Sequence, residues 1–308
     1  MTTLHPIAPL IVFNPAAGSR RRQKLHRALR LLPGAELAET AAPGDAERIA
    51  REAARSGRPC VVAAGGDGTI AEVAAGLAGS DTALGILPLG TANVLAQELD
   101  LPMLPEAAAS CLATGREVLL WPGIARFADG RQRLFVQMVG AGFDAAVVKN
   151  LDLRLKKAIG RGAYVWHSLR ELPRYRFAPI SASLDGGAPL AASALVVSKG
   201  RFYAGRYTLA PGASPVQPGF HVALMRGGAA QAMLAGALLP FGLLPRLPGL
   251  TRHRAGHVAL DGMEVPVQAD GDPAGTLPLV VEDAPGPLRV RLAREPRRGP
   301  LSPPAPCR

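Results

Sequence analysis

Along residues 9–120 short apolar runs alternate with longer amphipathic stretches. Strands are expected at "PLIVF" (9–13), "CVVAA" (60–64), "LGILP" (84–88) and "EVLL" (117–120), with a weaker one at "AELAE" (35–39). The run Val61 to Ala64, following Pro59, carries no polar position, the pattern of a strand covered on both faces. Between the strands, Leu25, Leu29 and Leu32 recur at helical spacing, and "GDAERIAREAARSG" predicts a helix with Asp45 as N-cap and a stop at Gly57. Strand and helix in alternation imply a parallel sheet with helices on both faces. Right-handed crossovers then bring the loops "NPAAGS" (14–19), "GGDGT" (65–69) and "PLGTAN" (88–93) to the carboxyl edge of that sheet, where open α/β folds bind ligands.

Beyond residue 122 the period changes. Short β-rich runs such as "RLFVQMVGAGF", "FHVALM" and "TLPLVVEDAPGPLRVRLA" are separated by Gly, Pro and Asp-Gly turns, so an all-β sandwich-like domain follows the α/β domain. A helix with several basic side chains is expected to interrupt it at 145–172. The expected organisation is an α/β nucleotide-binding domain at 1–122, a β domain at 123–295 and a disordered Pro/Arg-rich tail at 296–308. The stretch 229–245 has no charge but is shorter than a membrane span and is interrupted by Pro240 and Gly242. A buried helix and turn is the first expectation for it, with insertion into a membrane interface as the alternative.

Charge narrows the partners. The chain of 308 residues carries a formal charge of +11, and its pI near 10.4 favours anionic partners: nucleotides, nucleic acid or anionic membrane surfaces. Three cysteines without a CxxC pair suit a reducing compartment, and Cys60 reads as core. The N-terminus lacks a basic region and a cleavage site, so a cytoplasmic location is expected.

Glycines after a strand bare their backbone N–H groups, and the following helix adds the positive end of its dipole, an arrangement suited to phosphate. Asp67 within "GGDGT" would repel phosphate unless a divalent cation stands between them, which points to Mg²⁺ shared with a nucleotide. A tight turn with Asp67 as helix N-cap is the plainer alternative. Asn14 and Thr91 likewise fit an Asx turn and a cap, or hydrogen bonds to a nucleotide. Arg20, Arg21 and Arg22 open a helix at its cation-averse end and face either solvent or an anion. In "VQADGDPAG" (267–275) Asp-Gly signals a two-residue hairpin turn, yet Asp270 and Asp272 at its tip would also supply a general base. "GAGFDA" (140–145) lacks the βαβ context of a dinucleotide fingerprint, and His253 and His257 lack the glutamate of a metalloprotease helix.

Taken in order, these segments resemble the diacylglycerol kinase catalytic-domain family, which includes sphingosine kinases and soluble bacterial lipid kinases. "VFNPAAG" (12–18) is similar to its NPxSG start and "GGDGTIAEV" (65–73) to its GGDGTxxEV loop. "PLGTANVLA" (88–96) resembles its PxGTxNDFA segment, "GAGFDA" its GFDA, and "VSKGRFYAGRYTLAPGA" (197–213) a second-domain stretch. "QADGD" resembles QxDGE. The resemblance implies an α/β domain and a β-sandwich domain with ATP held between them. It implies nucleotide contacts from Asn14, Thr40, Gly65, Gly66, Asp67, Gly68, Thr69, Glu72, Gly90, Thr91 and Asn93, with Asp67 facing Mg²⁺. Asp270 and Asp272 take the base role, removing a proton from a lipid hydroxyl as it attacks the γ-phosphate. The implied partners are ATP and a lipid at an anionic membrane surface, approached peripherally from the cytoplasm, with neither nucleic acid nor an obligate protein partner.

The sequence also departs from the family. Asp272 replaces a glutamate and is one methylene shorter, which favours Asp270 as base, while Val94 and Ala17 replace the aspartate of NDFA and the serine of NPxSG. Where soluble bacterial members have a DDG stretch for a structural Mg²⁺, this chain has Gln217-Pro218-Gly219, so that metal site is expected to be absent. A kinase for a soluble substrate such as NAD, or a catalytically inactive nucleotide- or lipid-binding protein, are the alternatives.

Overall fold

The computed structural model describes residues 8–15, 19–151 and 162–292. It divides into two compact units, one reaching Trp121 and resuming at Pro285, the other spanning Pro122–Ala284.

The first unit alternates as its hydrophobic pattern predicts: β1 (Leu10–Phe13), α1 (Ser19–Leu29), β2 (Glu36–Glu39), α2 (Asp45–Arg55), β3 (Cys60–Gly65) and α3 (Asp67–Leu77). β4 (Ala83–Pro88), α4 (Val94–Glu98), α5 (Pro105–Thr114) and β5 (Arg116–Leu120) complete it. β2, β1, β3 and β4 are parallel neighbours, with Leu10 paired to Val61 and Cys60 to Ala83. Every residue of β3 and β4 is buried, as a strand covered on both faces requires. Leu25 and Ala28 of α1 and Ala108 and Leu112 of α5 cover one face through Ile11, Phe13, Val62 and Leu87. Burial pushes the Cys60 thiol up to about 12, which leaves it an inert core residue.

Two expectations for this unit need correction. The strand Leu288–Leu292, assigned by sequence to the β domain, lies in this sheet between β4 and β5, parallel to β4 and antiparallel to β5. Leu288 and Val290 are fully buried there, so the sheet is mixed and the second unit ends at Ala284 rather than 295. Asp45 is not the N-cap of α2; Gly44 occupies that position with φ 86. The Asp45 carboxylate instead accepts the amides of Ala41 and Ala42 at 2.8 and 3.0 Å, which with Arg48 hold it below the usual carboxylate range. The tail at 296–308 lies outside the described residues.

The second unit contains β6 (Gly123–Phe127), β7 (Gln132–Phe135), β8 (Met138–Ala141), α6 (Phe143–Lys149), α7 (Gly162–Glu171), β9 (Ile180–Leu184), β10 (Leu190–Ala192) and β11 (Ala194–Ser198). β12 (Phe202–Tyr203), β13 (Tyr207–Thr208), β14 (Phe220–Met225), α8 (Ala229–Leu238), β15 (Leu250–Ala255) and β16 (His257–Asp261) follow. The last three strands of this unit are β17 (Pro266–Ala269), β18 (Asp272–Thr276) and β19 (Leu279–Asp283); the returning strand of the first unit is β20. Two six-stranded sheets, β10-β9-β16-β19-β6-β7 and β15-β14-β11-β8-β17-β18, share one core that includes Phe135, Val139, Val197, Val222, Val258 and Val281. This is the expected antiparallel sandwich.

The helix expected at 145–172 is two shorter ones, α6 and α7, and residues 152–161 lie outside the described set. His253 and His257 sit on separate strands, β15 and β16, so their helical spacing has no structural meaning. The stretch 229–245 is not a buried helix. No residue of α8 is buried, and Met233, Leu234 and Phe241 are exposed at 61%, 40% and 78%. Ala235 and Leu238 pack against the cluster of Met138, Val196 and Ala223, and Gln231 donates to the Pro248 carbonyl. Among the described residues no helix is long and apolar enough to cross a membrane.

Candidate active site

Asn14, Thr40, Gly66 and Leu89 directly follow β1, β2, β3 and β4, so parallel pairing sets them along one sheet edge. The pairing extends past the strands, with the Thr40 amide donating to the Phe13 carbonyl and the Leu89 amide to that of Gly65, each at 2.9 Å. Here two loops touch backbone to backbone. A Cβ at Gly90 would lie 2.5 Å from the Gly66 Cα, and one at Gly65 would lie 2.4 Å from the Thr69 Oγ1. Glycine is required at both positions by contact rather than by dihedral freedom.

The contact is fastened by Asp67. This first residue of α3 does not cap its own helix; Gly66 is the N-cap. Its carboxylate reaches the start of α4, where Oδ2 accepts the Asn93 amide at 3.0 Å and Oδ1 the Val94 amide at 2.5 Å. Hydrogen bonds to a charged acceptor contribute about 1.5–3 kcal/mol each. Asn93, 1% exposed and left-handed at φ 48, closes the loop from the other side. Its Oδ1 accepts the Gly90 amide and its Nδ2 donates to the Gly90 carbonyl, both at 3.0 Å. Thr91 is left exposed at the loop's tip, Thr69 is buried, and Gly66 and Gly68 are half-buried.

Glu72 accepts the Ala46 amide at 3.2 Å, holding the first turn of α2. Arg22 pairs with Glu39 at 2.8 Å and lies 5.7 Å from the centre of the Phe13 ring, so it is engaged within the unit.

In the second unit, β17 and β18 are joined by Asp270 and Gly271 at φ 50 and 83, both left-handed, as the Asp-Gly signal predicts for a two-residue hairpin. The Asp270 carboxylate accepts three amides, from Val136 at 2.8 Å and from Gln137 and Met138 at 2.9 Å. Its own amide donates to the Met138 carbonyl at 2.9 Å. Asp272 is different: its side chain is 48% exposed, and Arg133 stands 3.8 Å away. Gln268 and Asp144, from the segments "QADGD" and "GAGFDA", hold this turn. Gln268, 2% exposed, accepts the Gly271 amide at 2.8 Å and donates to Asp144 Oδ2 at 3.1 Å. Burial pushes the Asp144 carboxyl above its ordinary value, opposed by hydrogen bonds from Tyr203 and Gln268. The available signal was their place inside "QADGD" and "GAGFDA".

Because the folded chain holds the Asp144 proton to higher pH than the unfolded chain does, the stability linked to that proton is present at low pH. It is lost as pH rises from the ordinary value of 3.8 through the raised one. The expected outcome is that Asp144→Asn flattens the acid-side pH dependence of the urea midpoint relative to wild type. Parallel profiles for the two proteins would contradict it.

Among the described residues no three His, Cys, Asp or Glu side chains converge as a metal cage would need. Mg²⁺ commonly takes one or two protein carboxylates together with nucleotide phosphates, and of these two arrangements only the nucleotide-borne one would suit the single carboxylate of Asp67, which also holds the Asn93 and Val94 amides.

Comparison with known proteins agrees with this architecture. Residues 8–119 match the diacylglycerol kinase catalytic domain, and residues 137–292 match the YegS C-terminal NAD kinase beta sandwich-like domain. A probable lipid kinase YegS-like protein of Pseudomonas fluorescens is 31% identical over 270 residues, covering 82% of this chain and 83% of that protein. A diacylglycerol kinase of Mycobacterium tuberculosis is 30% identical over 256 residues, covering 81% and 82%. The crystal structure of a putative diacylglycerol kinase from Bacillus anthracis superposes with a TM-score of 0.75 at 19% identity, over 94% of this chain and 97% of that one, a likeness of fold. With both halves matched in order and relatives 30% and 31% identical over more than four-fifths of their length, the chain belongs to the diacylglycerol kinase catalytic-domain family, among its YegS-like lipid kinases.

Proposed function

We propose that this protein transfers the γ-phosphate of ATP to the hydroxyl of a lipid alcohol such as a diacylglycerol or a sphingoid base. The observation that carries the reading is the pair of glycine loops pressed together and fastened by Asp67 at the carboxyl edge of the sheet. Backbone N–H groups of residues 65–69 and of Thr91 and Ala92 bind the phosphates, the Gly90 and Asn93 amides being held inside the loop, and Asn14, Thr40 and Thr91 contact the nucleotide. Glu72 takes part indirectly, through the α2 turn it holds. Mg²⁺ supplies charge neutralisation on the triphosphate when bound, with Asp67 as the carboxylate facing it.

The two acids of the hairpin divide the remaining work. Asp270 has three amide donors on its carboxylate and positions the turn. Asp272, half-exposed, has the freedom to accept the proton of the lipid hydroxyl. With ATP, Mg²⁺ and a lipid extract, Asp272→Asn should lower turnover about 10²- to 10⁴-fold with the unfolding midpoint held. Asp270→Asn should lower the midpoint as well as turnover. Normal phosphorylation by Asp272→Asn would remove it as base, and a labelled product that is not a lipid would remove the lipid substrate. The product's identity also tells diacylglycerol from other lipid alcohols; the relative named diacylglycerol kinase makes diacylglycerol the first to try.

Peripheral attachment to the cytoplasmic membrane face is supported by α8. Its uncharged outer face carries exposed Met233 and Leu234, and the exposed Arg226, Arg246 and Arg252 flank it in the chain. Apolar insertion and cationic attraction to anionic lipid reinforce each other in such an arrangement. The full chain should co-float with vesicles containing phosphatidylglycerol more than with phosphatidylcholine alone, and Met233→Glu with Phe241→Glu should cut that binding about tenfold. Unchanged flotation of the double variant would exclude α8 as the contact.

A further inference from the structure

Among the described residues of the second unit, Lys199 is the most deeply buried charge that the proposed chemistry does not use. It is 1% exposed, directly after β11. Its Nζ donates to the Gly219 carbonyl at 3.0 Å, pairs with the Asp283 carboxylate and lies 4.3 Å from the centre of the Phe220 ring. Asp283 Oδ2 in turn accepts the Gly219 amide at 2.7 Å. Gly219 precedes β14 and Asp283 ends β19, so one ammonium joins β11 and β14 of one sheet to a strand of the other.

Gly219 closes the Gln217-Pro218-Gly219 stretch where the family resemblance would put a structural metal, and the donors there do not fit one. Pro218 offers no side-chain ligand, and the Gly219 carbonyl already accepts from Lys199. The adjacent cavity, about 240 Å³, is lined by Asp185 and Lys199, with Asp283 paired to the latter. Asp185 accepts the amides of Gly256 and His257 at 2.9 and 2.8 Å, and Asp283 is held by Lys199 and Gly219. Arg254 and His221 face the same space, and burial together with Arg254 pushes the His221 imidazole below its ordinary value. A divalent cation entering there meets the Arg254 guanidinium and the Lys199 ammonium, while Asp283 is already neutralised and Asp185 Oδ1 is taken by two amides.

We infer that the Lys199 ammonium is a built-in replacement for a structural cation, cross-linking the two sheets of the second unit so that this unit folds without metal. The inference is independent of the proposed reaction. Removing one member of a buried pair strands the other, whereas replacing both with apolar groups is often tolerated.

The test is thermal unfolding of the full chain without nucleotide, with hydrogen exchange over residues 217–222 as the local readout. Wild type is expected to unfold within about 1 °C of the same temperature in EDTA and in millimolar Mg²⁺, with exchange unchanged. Lys199→Met should fall by roughly 6–20 °C and lose protection at 217–222, while Lys199→Met with Asp283→Leu recovers most of both. A clear loss of wild-type stability in EDTA, or a Lys199→Met protein as stable as wild type, would overturn the inference. If Lys199→Met does not fold, the wild-type comparison and the metal content of the dialysed protein decide: stoichiometric bound metal overturns it, and metal-free folded protein upholds it.

Discussion

One carboxylate, that of Asp67, ties the first amides of α4 to the start of α3, and the loops at the carboxyl edge of the first unit's sheet depend on that tie. Glycine loops are the costliest segments to order, because each glycine gives up more backbone freedom than any other residue. Here the ordering is secured by anion-to-amide hydrogen bonds and by the Asn93 loop closure. Amides that point outward from such a loop are organised before a ligand arrives, which lowers the cost of binding a polyanion.

The same device recurs in the second unit with a different outcome. Asp270 spends its oxygens on Val136, Gln137 and Met138, and Gln268 braces the turn against Asp144. Asp272, two residues along, is the carboxylate with its side chain half in solvent. The fold thus separates a carboxylate enclosed by amides from one half in solvent beside Arg133; on the proposed reading the first holds geometry and the second accepts a proton, the division that suits a phosphoryl transfer resting on positioning more than covalent chemistry.

How much of this the sequence disclosed follows from the range of each interaction. β1, β3 and β4 were legible because strands buried on both faces read as unbroken apolar runs, and the hairpin because Asp-Gly fixes two left-handed residues locally. The sheet to which Leu288–Leu292 belongs was not legible. Its alternation says strand, but its partners β4 and β5 lie far back in the chain. Asp67 reads as a cap or a metal ligand until its partners, 26 and 27 residues away, are known. Side-chain reach in the sequence favours Asp270 over Asp272 as base, and the proposed choice of Asp272 rests on three amides more than 130 residues upstream that occupy Asp270. In α8, lack of charge suggested burial, yet the fold covers one edge of it and leaves the rest exposed.

Amide hydrogen exchange of the full chain with and without ATP and Mg²⁺ bears most directly on the central claim. Slowed exchange concentrated at residues 65–69 and 90–94 is the expected result. Protection elsewhere in the first unit with both loops unchanged would contradict the account.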